Sequence, residues 1–152
     1  MKNESKIISI NDSVIKVQIW DTAGQEKYKS MSRKGYQNAD AIILVYDVKD
    51  KKSFESINTW VDDIKTNSKE DILMALLANK IDMNDRVISK EEGLKLAEKY
   101  NIKYFECSCK FDINVTETIV YLTQEIFLKG EKKRNIMLED NVKKVKSSKT
   151  CC

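Results

Sequence analysis

Three short strings in this chain carry residue types that do chemistry together. The first is Trp20-Asp21-Thr22-Ala23-Gly24-Gln25-Glu26, which follows an alternating apolar segment. An aspartate at a strand end offers hard oxygen ligands that suit Mg²⁺, directly or through water. A glycine lets a backbone N–H approach a phosphate closely. A glutamine directly after it can orient a water for in-line attack on a γ-phosphorus. Asp-x-x-Gly-Gln alone can be an ordinary polar strand-to-helix turn. As a continuous string behind an apolar strand it reads as part of a nucleotide site.

The second string is Asn79-Lys80-Ile81-Asp82, behind the apolar Leu76-Leu77-Ala78. A loop carboxylate can accept two hydrogen bonds, from the N1–H and the 2-amino group of guanine. Adenine lacks that donor pair, so such a site rejects it strongly. The Lys80 stem can lie on the base plane, and Asn79 can tie loops together. By itself the tetrapeptide also fits a helix-capping turn. The third string, Glu106-Cys107-Ser108-Cys109-Lys110, offers backbone N–H groups that can receive guanine O6, or else it is a strand end with two buried cysteines.

The elements that must position these strings can be read from apolar spacing. Ile8 and Ile10, then Ile15, Val17 and Ile19, alternate around Asn11-Asp12-Ser13, as in a β-hairpin. After the polar loop 21–25, a helical stretch runs through about Gln37. Residues 41–46 form a continuous apolar run ending in Asp47, as expected of a strand buried on both faces. Ser53 can cap a helix that carries Phe54, Ile57, Trp60, Val61 and Ile64 at helical spacing. A second buried strand follows at 72–78, then a capping box at 89–92 that opens another helix. A third short strand lies at 104–107, and a last amphipathic helix runs from Asn114 to about Lys129. Strands alternating with helices predict an α/β, mostly parallel sheet flanked by helices, with ligands outside the carboxyl ends of the strands. All three strings follow strands directly, so they belong on one edge.

Composition bounds the class. The chain has 152 residues, enough for one domain, and 41% of them are hydrophobic. Its formal net charge is +3, but basic residues outnumber acidic ones clearly from Glu131 onward. A basic end suits a membrane surface or an acidic partner, or is a solvated terminus. Nucleic acid is disfavoured, because no aromatic residue interleaves those positions. No secretory signal pattern opens the chain, and no apolar run reaches the length of a membrane span. With Cys107 and Cys109 internal and Cys151 and Cys152 terminal, the expected compartment is the reducing cytosol, without a disulfide framework. Histidine is absent, so any catalysis must do without imidazole.

The three strings resemble those of the Ras-superfamily GTPases, and their flanks resemble the Rab family. Segments 16–20, 27–32, 36–39 and 44–48 carry that second likeness, which covers nearly the whole chain from about Lys6 to Cys152. The resemblance implies a P-loop NTPase-like small GTPase fold and a GTP/GDP switch in vesicle and membrane traffic, with Mg²⁺ as cofactor. It implies effectors, an exchange factor, a GTPase-activating protein, a prenylation escort and a dissociation inhibitor as partners. Carried over by motif, Asp21 supports Mg²⁺ through water, and Thr22, Ala23 and Gly24 line the nucleotide, with the Gly24 N–H sensing the γ-phosphate. Gln25 positions the attacking water and is the catalytic residue. Asn79, Lys80 and Asp82 hold guanine, helped by Ser108, Cys109 and Lys110. Trp20 and Tyr36 match aromatic positions that Rab proteins present to effectors.

The same resemblance divides the chain into a partial GTPase domain at 1–130 and a flexible basic tail at 131–152. The final Cys151-Cys152 looks like a double-cysteine prenylation signal. Two prenyl chains, at about 0.8 kcal/mol per buried methylene, give stable anchoring, and the basic tail adds attraction to anionic lipid. The implied location is the cytoplasmic face of endomembranes, with a cytosolic pool.

Departures from the family pattern are specific. Cys107 and Cys109 stand where the family usually has Thr and Ala, and Gly35 replaces a common tyrosine. No Gly-x-x-x-x-Gly-Lys-Ser/Thr occurs, since Gly24, Gly35, Gly93 and Gly130 cannot make one. The family's first strand, phosphate loop, first helix and first switch have no counterpart, a piece on the order of 30 residues or more. A truncated gene model or an alternative start at Met1 explains this most simply. Guanine nucleotide affinity is then expected to collapse and hydrolysis to be negligible. A slot is expected between the strand ending at Trp20 and the strand 41–46, to be closed, filled by another chain, or left as a source of instability. The alternative to the switch is a truncated, nucleotide-free Rab-like binding protein or a non-functional fragment without GTPase activity.

Overall fold

The computed structural model describes residues 2–21 and 35–147, and the side chains of 4–21 and 35–131. Strands β1 (Lys2–Ile10) and β2 (Ser13–Asp21) pair antiparallel, with Ile10 opposite Ser13. The turn between them is Asn11-Asp12, and Asn11 takes φ 52°, the left-handed conformation that asparagine tolerates and hairpin turns require. Ile8 and Ile10 point inward and are buried. Ile7, Val14 and Trp20, which share the opposite face, are exposed.

Strands β3 (Ala41–Asp47), β4 (Leu73–Asn79) and β5 (Lys103–Glu106) form a separate parallel sheet in the order β3-β4-β5. Helix α1 (Lys51–Asn67) crosses from β3 to β4, and α2 (Lys90–Tyr100) from β4 to β5. The main core lies between these helices and one sheet face. Leu44, Tyr46, Leu76 and Ala78 meet Ile57, Val61 and Ile64 of α1 and Leu96 and Ala97 of α2. Helix α3 (Val115–Ser147) packs on the other face of β4, and Phe105 meets Tyr121 edge to face at 5.3 Å. β4 is therefore buried on both faces, as its unbroken apolar run requires. β3 is only partly covered on its second face: Val45 in its middle is 51% exposed, while Ile43 is half-buried.

Several sequence expectations shift. The helix after β3 is capped by Asp50, whose side chain accepts from Lys52 N–H, and not by Ser53. Ser53 lies inside the first turn, where its hydroxyl accepts from Asp47 N–H and donates to Asp50 O. β4 and β5 each sit one residue away from the expected position, so that Asn79 ends β4 and Cys107 falls outside β5. The last helix does not stop near Lys129. Its backbone continues to Ser147, through the stretch read as a tail, which contains no proline to break it. Finally, β2 forms a ladder with β1 and β3 with β4, and no ladder joins β2 to β3 among the described residues. Closure of the slot, which one expectation allowed, is not seen as a β2–β3 ladder among the described residues. None of the described helices is long and apolar enough to cross a membrane.

Candidate functional site

The carboxyl ends of β3, β4 and β5 place Asp47, Asn79 and Glu106 on one edge, because the three strands are parallel and in register. Asn79 is the hub. Its backbone carbonyl accepts from Val48 N–H at 3.1 Å, which ties β4 to the loop after β3. Its side-chain Oδ1 accepts from Lys80 N–H at 2.8 Å, Cys109 N–H at 3.2 Å and Cys107 Sγ at 3.5 Å. One amide oxygen thus links the loop after β4 to the loop after β5. Lys80 takes φ 68°, uncommon for a residue with a Cβ and typical of functional turns.

Asp82 is held from the same loop. Ser108, fully buried, donates its Oγ–H to Asp82 Oδ1 at 2.6 Å and accepts from Phe111 N–H at 3.3 Å. Ile81 N–H donates to Cys107 O at 3.2 Å. Ser108 and Ile113 exchange both of their backbone bonds, which closes the tight turn between them. Asn114 anchors the exit of that turn by donating to Glu106 O at 2.7 Å. The two loops are therefore cross-braced at four points: Asn79 Oδ1 to Cys109 N–H and to Cys107 Sγ, Ser108 to Asp82, and Ile81 N–H to Cys107 O.

Charge at this edge is also organised. Lys80 Nζ lies 2.5 Å from Asp47 Oδ2, while Lys49 N–H donates to Asp47 Oδ1 at 2.9 Å. Burial pushes the Asp47 carboxyl up, but the Lys80 and Lys49 bonds outweigh it and hold the group below its usual range. The Asp47 bond and charge raise Lys80 in turn. Behind them, Arg86 donates to Glu106 Oε1 at 2.5 Å and to Ile88 O, and Tyr104 donates to the same Glu106 oxygen at 3.0 Å. Burial works against the Arg86 charge, and the Glu106 pairing more than offsets it.

The structure thus gathers Asn79, Lys80, Asp82, Ser108 and Cys109. Lys110 follows in the same turn, exposed, with its Nζ 5.1 Å from the Phe111 ring centre. Asp21 stands in the other sheet, at the exposed end of β2. Thr22, Ala23, Gly24 and Gln25, and likewise Cys151 and Cys152, lie outside the described residues. Trp20 is 51% exposed on the outer face of the hairpin. Tyr36 differs from expectation: it is only 7% exposed and belongs to the main core cluster, so its ring is not offered to a partner. Sequence reasoning missed Asp47 and Arg86. Asp47 had a signal, a carboxylate closing a buried apolar strand. Arg86 had none, because its partner Glu106 is 20 residues away.

Chemically, this edge suits a planar heterocycle with two adjacent donors. Ser108 engages one oxygen of Asp82, and Oδ2 has no hydrogen bond among the described residues. Such a carboxylate fits the N1–H and 2-amino pair of guanine. For a metal the donor set is thin: no group of three or more His, Cys, Asp or Glu could hold an ion among the described residues. Asp21 alone fits an ion held mainly by phosphate oxygens and water, as Mg²⁺ usually is.

An α/β fold with cross-braced polar loops at the carboxyl edge of its parallel strands has the architecture in which ligands bind outside the strand ends. Comparison with known proteins narrows it. The Ras family model matches residues 1–128. The Ras-related protein Rab-8 of Diplobatis ommata is 41% identical over 93% of this chain and 69% of its own length. Rab-8B of Bos taurus is 42% identical over 86% of this chain and 63% of its own, and Rab-26 of Mus musculus 34% over 97% and 58%. The chain belongs to the Ras family and, within it, to the Rab-type small GTPases. It spans between 58% and 69% of the length of these relatives.

Proposed function

We propose that this chain forms the guanine-recognising part of a Rab-type GTP/GDP switch in vesicle and membrane traffic. The observation that carries the reading is Asp82, held at 2.6 Å by buried Ser108 while Asn79 Oδ1 bridges the two loops. Recognition elements cross-braced in this way spend little entropy on binding. In this reading Asp82 accepts from guanine N1–H and the 2-amino group, the Lys80 stem covers the base, and the Ser108, Cys109 and Lys110 loop meets guanine O6. Asp21 supports Mg²⁺ through water. Thr22, Ala23 and Gly24 line the phosphates, and Gln25 orients the water that attacks the γ-phosphorus in GTP hydrolysis.

Partners follow from the class: effectors, an exchange factor, a GTPase-activating protein, an escort for prenylation and a dissociation inhibitor. Trp20 is the effector contact that the surface supports. Prenylation of Cys151 and Cys152 anchors the protein to the cytoplasmic face of endomembranes. A second reading has one observation in its favour. Ile7, Val14 and Trp20 make an exposed apolar face on the hairpin. That face suits a nucleotide-free binding protein that engages Rab-handling factors.

The test is binding of fluorescent GDP with Mg²⁺ to the 152-residue polypeptide, with Asp82→Asn as control. The expected affinity is no tighter than micromolar, because guanine contacts act without a phosphate loop. Tight binding that Asp82→Asn abolishes overturns that expectation and assigns phosphate binding to another element. Tight binding that Asp82→Asn leaves unchanged contradicts the guanine site itself.

A further inference from the structure

Lys80 and Asp82 leave one short loop towards opposite flanks. The Lys80 ammonium reaches to the end of β3, where Asp47 Oδ2 holds it at 2.5 Å. The Asp82 carboxylate is held from the β5 side, by Ser108 Oγ at 2.6 Å. Asp47 and Asn79 are register partners on neighbouring parallel strands, which lie about 4.8 Å apart. The four-carbon stem of Lys80 therefore crosses from the end of β4 to the end of β3. That is the edge on which ligands of such sheets bind.

Both ends of the stem are fixed. At the backbone, Lys80 N–H donates to Asn79 Oδ1 and Lys80 O accepts from Met83 N–H. At the ammonium, Asp47 is the one carboxylate in ion-pair range among the described residues. Asp47 is itself held for the task. Its backbone N–H donates to Ser53 Oγ at 3.0 Å, and its other carboxylate oxygen accepts from Lys49 N–H at 2.9 Å. The Lys49 side chain pairs with Asp85 instead, so its ammonium does not compete for Asp47. Lys80 nonetheless keeps 54% of its side chain exposed. The clamped stem thus still offers methylene surface to a ligand.

We infer that Asp47 is a positioning residue for guanine recognition: it clamps the Lys80 stem across the strand ends, at a fixed separation from Asp82. A free lysine stem samples many rotamers and must surrender them when a base stacks on it. Asp47 removes much of that freedom beforehand. Its charge also offsets the ammonium, so the stem meets the base as apolar surface. Asp47 does not touch the base; it acts through Lys80. The inference rests on the guanine reading above and extends it to a residue outside the three sequence strings.

The test compares the 152-residue chain with Asp47→Asn, Lys80→Ala and the double variant. Asp47→Asn keeps an oxygen for Lys49 N–H and turns an amide N–H towards Lys80, so the turn after β3 stays while the clamp is lost. The readouts are relaxation of the Lys80 side-chain carbons and affinity for guanosine monophosphate, taken from the amide shifts of 79–82 and 108–110. Without nucleotide, the Lys80 ε-carbon is expected to be ordered in the parent and mobile in Asp47→Asn. With guanosine monophosphate, Asp47→Asn is expected to weaken binding about 3- to 10-fold in the parent and to change nothing further in Lys80→Ala. A merely structural Asp47 would weaken both backgrounds alike, and that result overturns the positioning role. So does a Lys80 ε-carbon as mobile in the parent as in Asp47→Asn. An ordered Lys80 with no response to guanosine monophosphate in the parent marks a different failure: the guanine reading is wrong, and the role falls with it.

Discussion

Ser108 Oγ donates to Asp82 Oδ1 at 2.6 Å, which makes a fully buried hydroxyl the support of the carboxylate proposed to select guanine. The bond reaches between loops 26 residues apart, so it reports on the assembly of the whole edge. Ser108→Ala removes a charge-assisted bond and also leaves Phe111 N–H without its acceptor. The expected loss of stability is about 2 kcal/mol, within the range for hydrogen bonds to charged groups. Chemical denaturation of the two proteins measures it. A Ser108→Thr variant keeps the hydroxyl and is expected to recover part of the loss.

Gly93 lies inside α2, where alanine would ordinarily add about 1 kcal/mol of helix propensity. Here a Cβ would stand 2.5 Å from the Tyr46 hydroxyl oxygen and 2.6 Å from a Tyr104 ring carbon. Neither ring can swing aside freely, because Tyr46 is buried and Tyr104 bonds to Glu106. Overpacking therefore wins, and Gly93→Ala is expected to destabilise by about 1–3 kcal/mol. Thermal melts decide the sign, and a stabilised variant contradicts the close packing of α2 on β3 and β5.

The Asp47–Lys80 pair predicts a pH dependence with a definite sign. The Asp47 carboxyl titrates below its usual value in the folded chain. Its contribution to stability is therefore present above the unfolded carboxylate pKa and is lost as pH falls through the lower, folded one. Lys80 is raised, so its contribution is present below the usual lysine value and lost as pH rises through the raised one. Carbon-detected titration of the Asp47 carboxyl is expected to show the depressed midpoint in the parent and a return towards the ordinary range in Lys80→Ala. An unshifted midpoint in the parent contradicts the pairing.

Arg86 joins the loop after β4 to the end of β5 through Glu106, and both side chains are mostly shielded, at 27% and 20% exposure. Arg86→Ala leaves the Glu106 carboxylate with Tyr104 as its donor and frees Ile88 O. The expected loss is about 2 kcal/mol, more than an exposed pair contributes and less than a fully buried one. Glu106→Gln in the Arg86→Ala background is expected to restore part of it by removing the unpaired charge. Denaturant midpoints of the single and double variants measure both effects.

Much of the fold is legible in the chain because local signals agree with the tertiary ones. The unbroken apolar run behind β4 marks a strand buried on both faces, and Ser89 with Glu92 forms the reciprocal cap that its spacing predicts. The signals fail where two residues compete for one role. Asp50 and Ser53 both suit an N-cap, and Asp50 takes it because Ser53 is drawn to Asp47 N–H. Tyr36 is misjudged because motif matching is blind to direction, and its ring faces the core. In the site, Asn79, Lys80 and Asp82 were legible as one string. Their supports, Asp47, Ser108 as a carboxylate holder and the Arg86–Glu106 brace, depend on contacts between loops that spacing along the chain does not encode.

The central claim is that the braced edge selects guanine through Asp82. The most direct measurement is a two-dimensional NMR titration of the 152-residue chain with guanosine monophosphate and, separately, adenosine monophosphate. The account predicts that the guanine nucleotide moves the amides of 79–82 and 108–110, that the adenine nucleotide leaves them in place, and that Asp82→Asn removes the response. Equal shifts with both nucleotides, or none with guanosine monophosphate at millimolar concentration, would contradict it.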